Sequence, residues 1–454
     1  MNFLRSERNA AAILLVAAAL GLVLANTGIG AELLQINAAH IGFASINLDL
    51  SVEHWTSDGL LAVFFFIVAV ELKHELVAGS LNTPAKALLP AIAALGGVVV
   101  PAGVFLLFNL GSPYADGWPI PTATDIAFAL GVLAIFGRAL PTKVRVFLLA
   151  LAVLDDLVAI LIIAVFFTTS LNVPALLSAA VCVAVFGVLS WMLGRGRREG
   201  ASGALTHRGV RIAIGIVMVL IALLTWDLTY QSGIHATIAG VALGLVMSAK
   251  PAARTAHALQ PWSNAIVLPL FAFSAALVAI PSVGIGELSP AFWGILVALP
   301  VGKLVGITVA GWLGSRFVGK RAPASSVLSL PDLVMIGGLG GIGFTVSLLM
   351  NELAFKGFDE VIDEGTLAVL LGSAVSIVVA SVLVAQRSRA YRQATDARGE
   401  PGANGGTGTT DAHTSGGTGT GAHTRRDADS SGARARSDPD LELDAEPADS
   451  PFAD

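Results

Sequence analysis

Apolar stretches of a length suited to crossing a lipid bilayer recur from residue 10 to about residue 386, and no other feature of the 454-residue chain constrains its fold as strongly. They cover 10–25, 60–70, 88–108, 176–194, 210–224, 264–280, 291–313 and 366–386, several of them near the ~20 residues that a helix needs to span the hydrocarbon core. Charged residues make up 13% of the chain and hydrophobic ones 55%, with a mean hydropathy of +0.77; a soluble domain carries about 25% charge. An all-α polytopic membrane protein follows. The first stretch, "AAAILLVAAALGLVLAN", lacks a small-x-small cleavage site and precedes many further spans, so it reads as a retained helix. The single cysteine, Cys182, excludes an internal disulfide.

Charge placement gives an orientation. Lys and Arg gather at Arg5/Arg8, Lys73/Lys86, Arg138/Lys143/Arg145, Arg195 to Arg211, Lys250/Arg254 and Arg316/Lys320/Arg321. The loops 27–57, 111–118, 168–174, 226–232 and 280–290 contain neither. Alternation of basic and non-basic loops is the positive-inside pattern, and it predicts about twelve helices with both termini cytoplasmic. Lys356 breaks the pattern on the outer side, and Lys303 fits no loop at all. After residue 386 the chain turns to Gly, Thr, Ser, Ala and Asp. Such a segment buries too little apolar surface to offset its ordering entropy. The expected division is a membrane domain over 1–386 and a disordered cytoplasmic tail over 387–454.

Ionisable residues inside the spans are few. Asp155 and Asp156 sit together in "ALAVLDDLVAILIIAVFF"; Asp125 and Lys303 stand in other spans, with Asp58, Glu71, His235 and Asp332 nearer their ends. One intramembrane carboxylate costs about 2.5–3.5 kcal/mol on the insertion scale, and a neighbour of like charge makes ionising both harder. Three such Asp against one Lys leave acid in excess, which calls for protons or a metal cation. Two spans are interrupted as well. "WPIPTATDIAFALGVLAIFG" (118–137) carries two prolines, and "VMIGGLGGIGFTVSLLM" (334–350) carries five glycines. Each is the middle span of a trio, 86–110, 119–138 and 143–168 in one case and 289–315, 327–351 and 362–386 in the other. By the charge pattern the trios start on opposite sides. Inverted repeats with two crossed, interrupted helices have this form and mark a transport site. Asp125 is suited to offset the positive helix ends at such a crossing, and Lys303 the negative ones.

"GWPIPTATDIAFALGVL", "LALAVLDDLVAILIIA", "SGIHATIAG", "VGKLVGI", "GGIGFTVSLL" and "LLAVFFFIVAVELKHELVAGSL" resemble the NhaA family of Na⁺/H⁺ antiporters, in order, from about residue 10 to 386. The resemblance implies that Asp155 and Asp156 bind Na⁺ or Li⁺ in competition with protons. It implies that Asp125, Thr124, Gly341 and Gly343 support the two broken helices, and that Lys303 neutralises the crossing and pairs with Asp155. Asp58, Glu71, His235 and His257 match positions linked to pH response or to a cytoplasmic funnel. The family further implies electrogenic export of Na⁺ against H⁺ in pH and sodium homeostasis, a cell (inner) membrane location and a homodimer with a hairpin within 27–57. It implies no resident cofactor, and neither enzymatic activity nor nucleic-acid binding is expected. Two positions depart from the family: Leu304 stands where Pro often follows the lysine, and Ala256 and Gln260 replace ionisable residues beside His257. Among rival readings, an inverted-repeat symporter for an organic anion calls for more positive charge than Lys303 offers. An intramembrane aspartyl protease calls for carboxylates on two facing helices.

Overall fold

The computed structural model describes residues 7–43, 48–79, 81–168, 171–195, 208–280, 285–317 and 327–399. Almost all of these lie in helices, with one small antiparallel hairpin, β1 (His40–Phe43) against β2 (Leu48–Ser51). The first half comprises α1 (Glu7–Ala25), α2 (Gly30–Ala38), α3 (Leu61–Val77), α4 (Pro84–Phe108), α5 (Ile126–Phe136), α6 (Thr142–Phe166) and α7 (Val173–Arg195). After it come α8 (Arg208–Gln231), α9 (Thr237–Val246), α10 (Ala249–Trp262), α11 (Leu268–Ala275), α12 (Pro290–Val297), α13 (Lys303–Phe317), α14 (Leu330–Gly340), α15 (Phe344–Ala354) and α16 (Asp359–Gly399).

Among the described residues seven helical stretches are long and apolar enough to cross a membrane, or nine if each of two bent pairs counts as one span. The expected twelve is not reached on that criterion, because other spans are assembled from shorter pieces. A π-helical turn, Trp55–Leu60, leads into α3, and another, Ser263–Val267, joins α10 to α11. The helix α9 has only 10 residues.

The two trios superpose on the expected boundaries: Pro84–Phe108, Ala115–Phe136 and Thr142–Phe166, then Pro290–Phe317, the bent pair Leu330–Gly340 with Phe344–Ala354 at 52°, and α16. Their opening helices, α4 and α13, pack backbone to backbone. A methyl added at Gly96 would lie 2.4 Å from the Gly306 carbonyl oxygen, and one at Gly306 would lie 2.2 Å from that of Gly96. Without a hydrophobic drive between helices in lipid, such close approach supplies the association. Burial falls outward: 67% of the α6 window is buried, against 17% for α7 and 22% for α8. The last helix runs through residue 386 to Gly399, so the change of composition at 387 falls within it. The expected tail beyond it, from residue 400, lies outside the described residues.

Candidate functional site

The prolines of the first broken span stop a continuous helix, as a missing backbone donor and a fixed φ require. A 3-10 turn, Ile120–Thr122, is followed by an extended Ala123 and then by α5. In the second broken span the glycines let the chain turn between α14 and α15 in a space that admits no side chain. A Cβ at Gly341 would meet the Leu299 carbonyl oxygen and the Ser376 hydroxyl at 2.9 Å, and one at Gly343 would meet the Ser347 hydroxyl at 2.2 Å. The next residue, Phe344, has φ 22°, the one positive value at a non-glycine among the described residues. A bulky side chain there is an outlier, and local strain of this kind concentrates at functional sites.

The interruptions meet. The Asp125 backbone N–H donates to the Ile342 carbonyl at 2.6 Å, and the Thr124 hydroxyl donates to the Gly340 carbonyl at 2.8 Å. The Asp125 carboxylate serves both half-helices that begin here. Oδ1 accepts from Phe128 N at 3.1 Å in α5, while Oδ2 accepts from Thr345 Oγ1 at 2.6 Å and Thr345 N at 3.3 Å in α15. One negative charge thus faces two positive helix ends, as the dipoles favour. Thr345 stood unremarked in the sequence, though it lies within the "GGIGFTVSLL" motif; its partner is 220 residues away.

Lys303 opens α13 after a π-helical turn, Ala298–Gly302; turns of this kind often lie at functional positions. Its side chain is fully buried, and Nζ donates to Asp155 Oδ2 at 2.6 Å and to the Thr124 hydroxyl at 2.9 Å. Asp155 Oδ1 is buried with no hydrogen-bond partner. Thr124 stands beside Asp155 too, but its single hydroxyl proton goes to Gly340. Asp156, 5% exposed, faces the fields of Asp155, Asp125, Lys303 and Glu71. Among the described residues no three acidic, His or Cys side chains converge to hold a metal ion by themselves. A cation here draws on hydroxyl, carbonyl or water oxygens besides the carboxylates, which suits a weakly held hard ion.

The structure therefore brings together Asp125, Thr124, Asp155, Asp156, Lys303, Gly341 and Gly343, with Glu71 in electrostatic range. Others stand apart. Asp58 Oδ1 and His235 Nδ1 meet at 2.9 Å on the wall of a cavity of about 1410 Å³, also lined by Glu53, His54, Glu352 and Asp363. Residues of the non-basic loops contribute to this wall, such as Asp116, Asn172 and Gln231. Asp58 and His235 thus share this wall, away from the crossing, each close to where its chain leaves a non-basic loop. His257 is exposed on α10, while Ala256, at 1% exposure, is packed into an apolar cluster with Phe66 and Val70. Asp332 is held in an ion pair with Arg387, at 2.7 Å.

Residues 1–384 match the family model described as Na⁺/H⁺ antiporter 1. The chain belongs to this family. It is 60% identical over 393 residues to "Na(+)/H(+) antiporter NhaA 2" of Clavibacter michiganensis, covering 87% of this chain and 93% of that one. It is 46% identical over 384 residues to "Na(+)/H(+) antiporter NhaA" of Tropheryma whipplei, covering 85% and 95%. The protein so named in Mycolicibacterium smegmatis is 41% identical over 402 residues, covering 86% and 89%. The family is one of transporters, and membership agrees with the multi-pass, all-helical membrane fold.

Proposed function

We propose that the chain exchanges Na⁺, or Li⁺, for H⁺ across the cell membrane, with Asp155 and Asp156 as the carboxylates for which cation and protons compete. The observation that carries this reading is the unsaturated state of a fully buried ion pair. Lys303 holds one oxygen of Asp155 at 2.6 Å, the other oxygen has no donor, and Asp156 stands beside it. That oxygen is available to a cation without first breaking a bond to another protein group. Loading a cation onto Asp155 and Asp156 competes with the ammonium of Lys303 and with protons on either carboxylate, and the three groups titrate as one unit. The cation is cargo, and the scheme uses no resident cofactor.

Exchange needs the site to face each side in turn, and the crossing supplies a place for that change. Four helix ends meet where Asp125, Thr124 and Lys303 hold them, so a shift of the half-helices alters the site without exposing backbone to lipid. If two protons leave per Na⁺, the stoichiometry that family resemblance implies, one charge moves per cycle. The membrane potential then drives export by about 2.3 kcal/mol per 100 mV. The alternation of basic and non-basic loops supports a cytoplasmic location for both termini, by the positive-inside rule. Strand β1, exposed at His40, Ile41 and Gly42, offers a route to the homodimer that the family resemblance implies. Everted vesicles containing the protein should show dissipation of ΔpH on addition of NaCl or LiCl between pH 6.5 and 9. Absence of any response to either salt over that range overturns the reading.

A further inference from the structure

The structure assigns a positioning role to a second cluster, the buried Asp332 with the part-exposed Arg387 and Tyr391, which fastens the broken helix α14 to the carboxy-terminal part of α16. Asp332 lies in the first turn of α14 and is 0% exposed. Its Oδ1 accepts from Arg387 Nε at 3.0 Å and Nη2 at 2.7 Å, and its Oδ2 accepts from the Ser329 hydroxyl at 2.5 Å and the Tyr391 hydroxyl at 2.8 Å. Arg387 and Tyr391 stand four apart, on one face of α16, and the guanidinium lies 4.8 Å from the centre of the Tyr391 ring. Between them, Ser388 offers its hydroxyl to the Ala139 N–H at 3.3 Å, just past the end of α5. One short stretch of α16 thus holds the outer end of α14 and the segment that follows α5, the half-helices that run inward to the crossing.

The other end of α14 is part of the site. Gly340, its last residue, presents the carbonyl that receives the Thr124 hydroxyl, and Thr124 receives Lys303. An 11-residue helix is a rod of about 16 Å, so a tilt of the clamped end moves that carbonyl and with it the seat of Lys303. Ser329, the N-cap of α14, makes no side-chain bond to the helix backbone, and the Asp332 carboxylate is spent on Ser329, the Arg387 fork and the Tyr391 hydroxyl, which tie the first turn of α14 to another helix. α16 also grips the crossing directly, since the Ser373 hydroxyl accepts from Phe344 N at 3.1 Å. Two attachments on one helix fix both the crossing and the far end of α14.

This role builds on the exchange reading above, and its test has one readout that does not depend on exchange. In the full-length protein, Arg387→Ala should speed amide hydrogen exchange across 338–346, a segment away from the substitution. In vesicles it should raise the apparent KM for Na⁺ roughly three- to tenfold, the size of effect that remote coupling produces, with maximal turnover held within about twofold. Tyr391→Phe removes the hydroxyl that donates to Asp332 but keeps the ring, and should shift both readouts in the same direction by less, which covers the case in which Arg387→Ala fails to fold. Arg387→Lys keeps charge without the fork and should fall between wild type and Arg387→Ala. Unchanged exchange at 338–346 in the variants overturns the proposal, as does a lowered melting temperature with KM and turnover both unaltered. A wild-type protein without Na⁺-linked flux, whose 338–346 amides still respond to Arg387→Ala, would instead sink the exchange reading and leave the clamp standing.

Discussion

Asp155 and Asp332 are both withdrawn from solvent and both face a cation, yet the two pairs are built to opposite specifications. Asp332 accepts four hydrogen bonds, shared evenly between its oxygens. Asp155 accepts from Lys303 on one oxygen and from no protein donor on the other. Burying a charge is costly unless its lone pairs are satisfied, so the first arrangement is suited to permanence and the second to exchange. Two things separate the structural ion pair from the working one here, saturation and depth: the Arg387 side chain is 23% exposed, and that of Lys303 not at all.

The most severe test of that contrast is to neutralise the unsaturated pair. Asp155→Asn and Asp156→Asn should each reduce Na⁺-driven proton flux in vesicles to background, with the protein still inserted, whereas Asp332→Asn should retain measurable turnover. Near-normal rate and affinity in either site variant removes that residue from the scheme. Next comes the lysine. Removing one partner of a buried pair costs about 3–5 kcal/mol where the other charge stays uncompensated, so Lys303→Ala should lower the melting temperature in detergent as well as alter the pH profile. Lys303→Arg, which keeps the charge, should retain more stability. Equal melting temperatures for wild type and Lys303→Ala would refute the pairing.

A smaller effect is expected at Asp125, which resembles Asp332 in being saturated. Thr345→Val preserves shape but deletes the 2.6 Å bond to Asp125 Oδ2, and leaving that carboxylate short of a donor costs about 1–3 kcal/mol. Thermal unfolding that matches wild type would show that the crossing does not depend on it. The smallest effect lies in the cavity wall. Burial, and then Asp363 and Asp359, push the Glu53 carboxyl above its ordinary value. A raised carboxyl keeps its proton in the fold when the unfolded chain has already lost it, so stability declines as pH rises from the ordinary value through the raised one. Glu53→Gln should remove that decline, making the variant relatively more stable at neutral pH than at pH 4. Parallel stability–pH curves for the two proteins would count against it.

Much of the site could be read from the sequence because breakers and intramembrane charges are rare and each demands a reason. Two prolines before Asp125, five glycines before Thr345 and a lone Lys303 within a span marked the crossing. The state of each charge was hidden, since it depends on partners remote in the chain: 148 residues separate Lys303 from Asp155, 177 separate His235 from Asp58, and 55 separate Arg387 from Asp332. Reading Asp332 only as another intramembrane acid missed that Arg387 completes it. The end of the last helix was misplaced for a different reason. Apolarity stops near 386, but "AQRSRAYRQATDAR" is rich in Ala, Arg and Gln, which continue a helix readily in water. The π-helical turns at Trp55–Leu60 and Ser263–Val267, which split helices into pieces shorter than a full span, carry no proline or glycine cluster comparable to those at the crossing and so left no mark in the sequence.

The Asp125 carboxylate has a further consequence for the two halves as separate polypeptides. The first half-helix carries its own cap, since Asp125 is the N-cap of α5 and accepts from Phe128 N. The second does not: Gly343 is the N-cap of α15 and has no side chain to offer, so the start of that helix draws on Asp125 from the other repeat. Cut between the trios and expressed as two fragments, the amino-terminal piece would still own a finished helix start, while the carboxy-terminal piece would carry exposed amide dipoles at bilayer depth. The start of α15 is therefore conditional on its companion, while the amino-terminal piece would in turn lose the Ile342 acceptor of the Asp125 N–H and the Lys303 partner of Asp155.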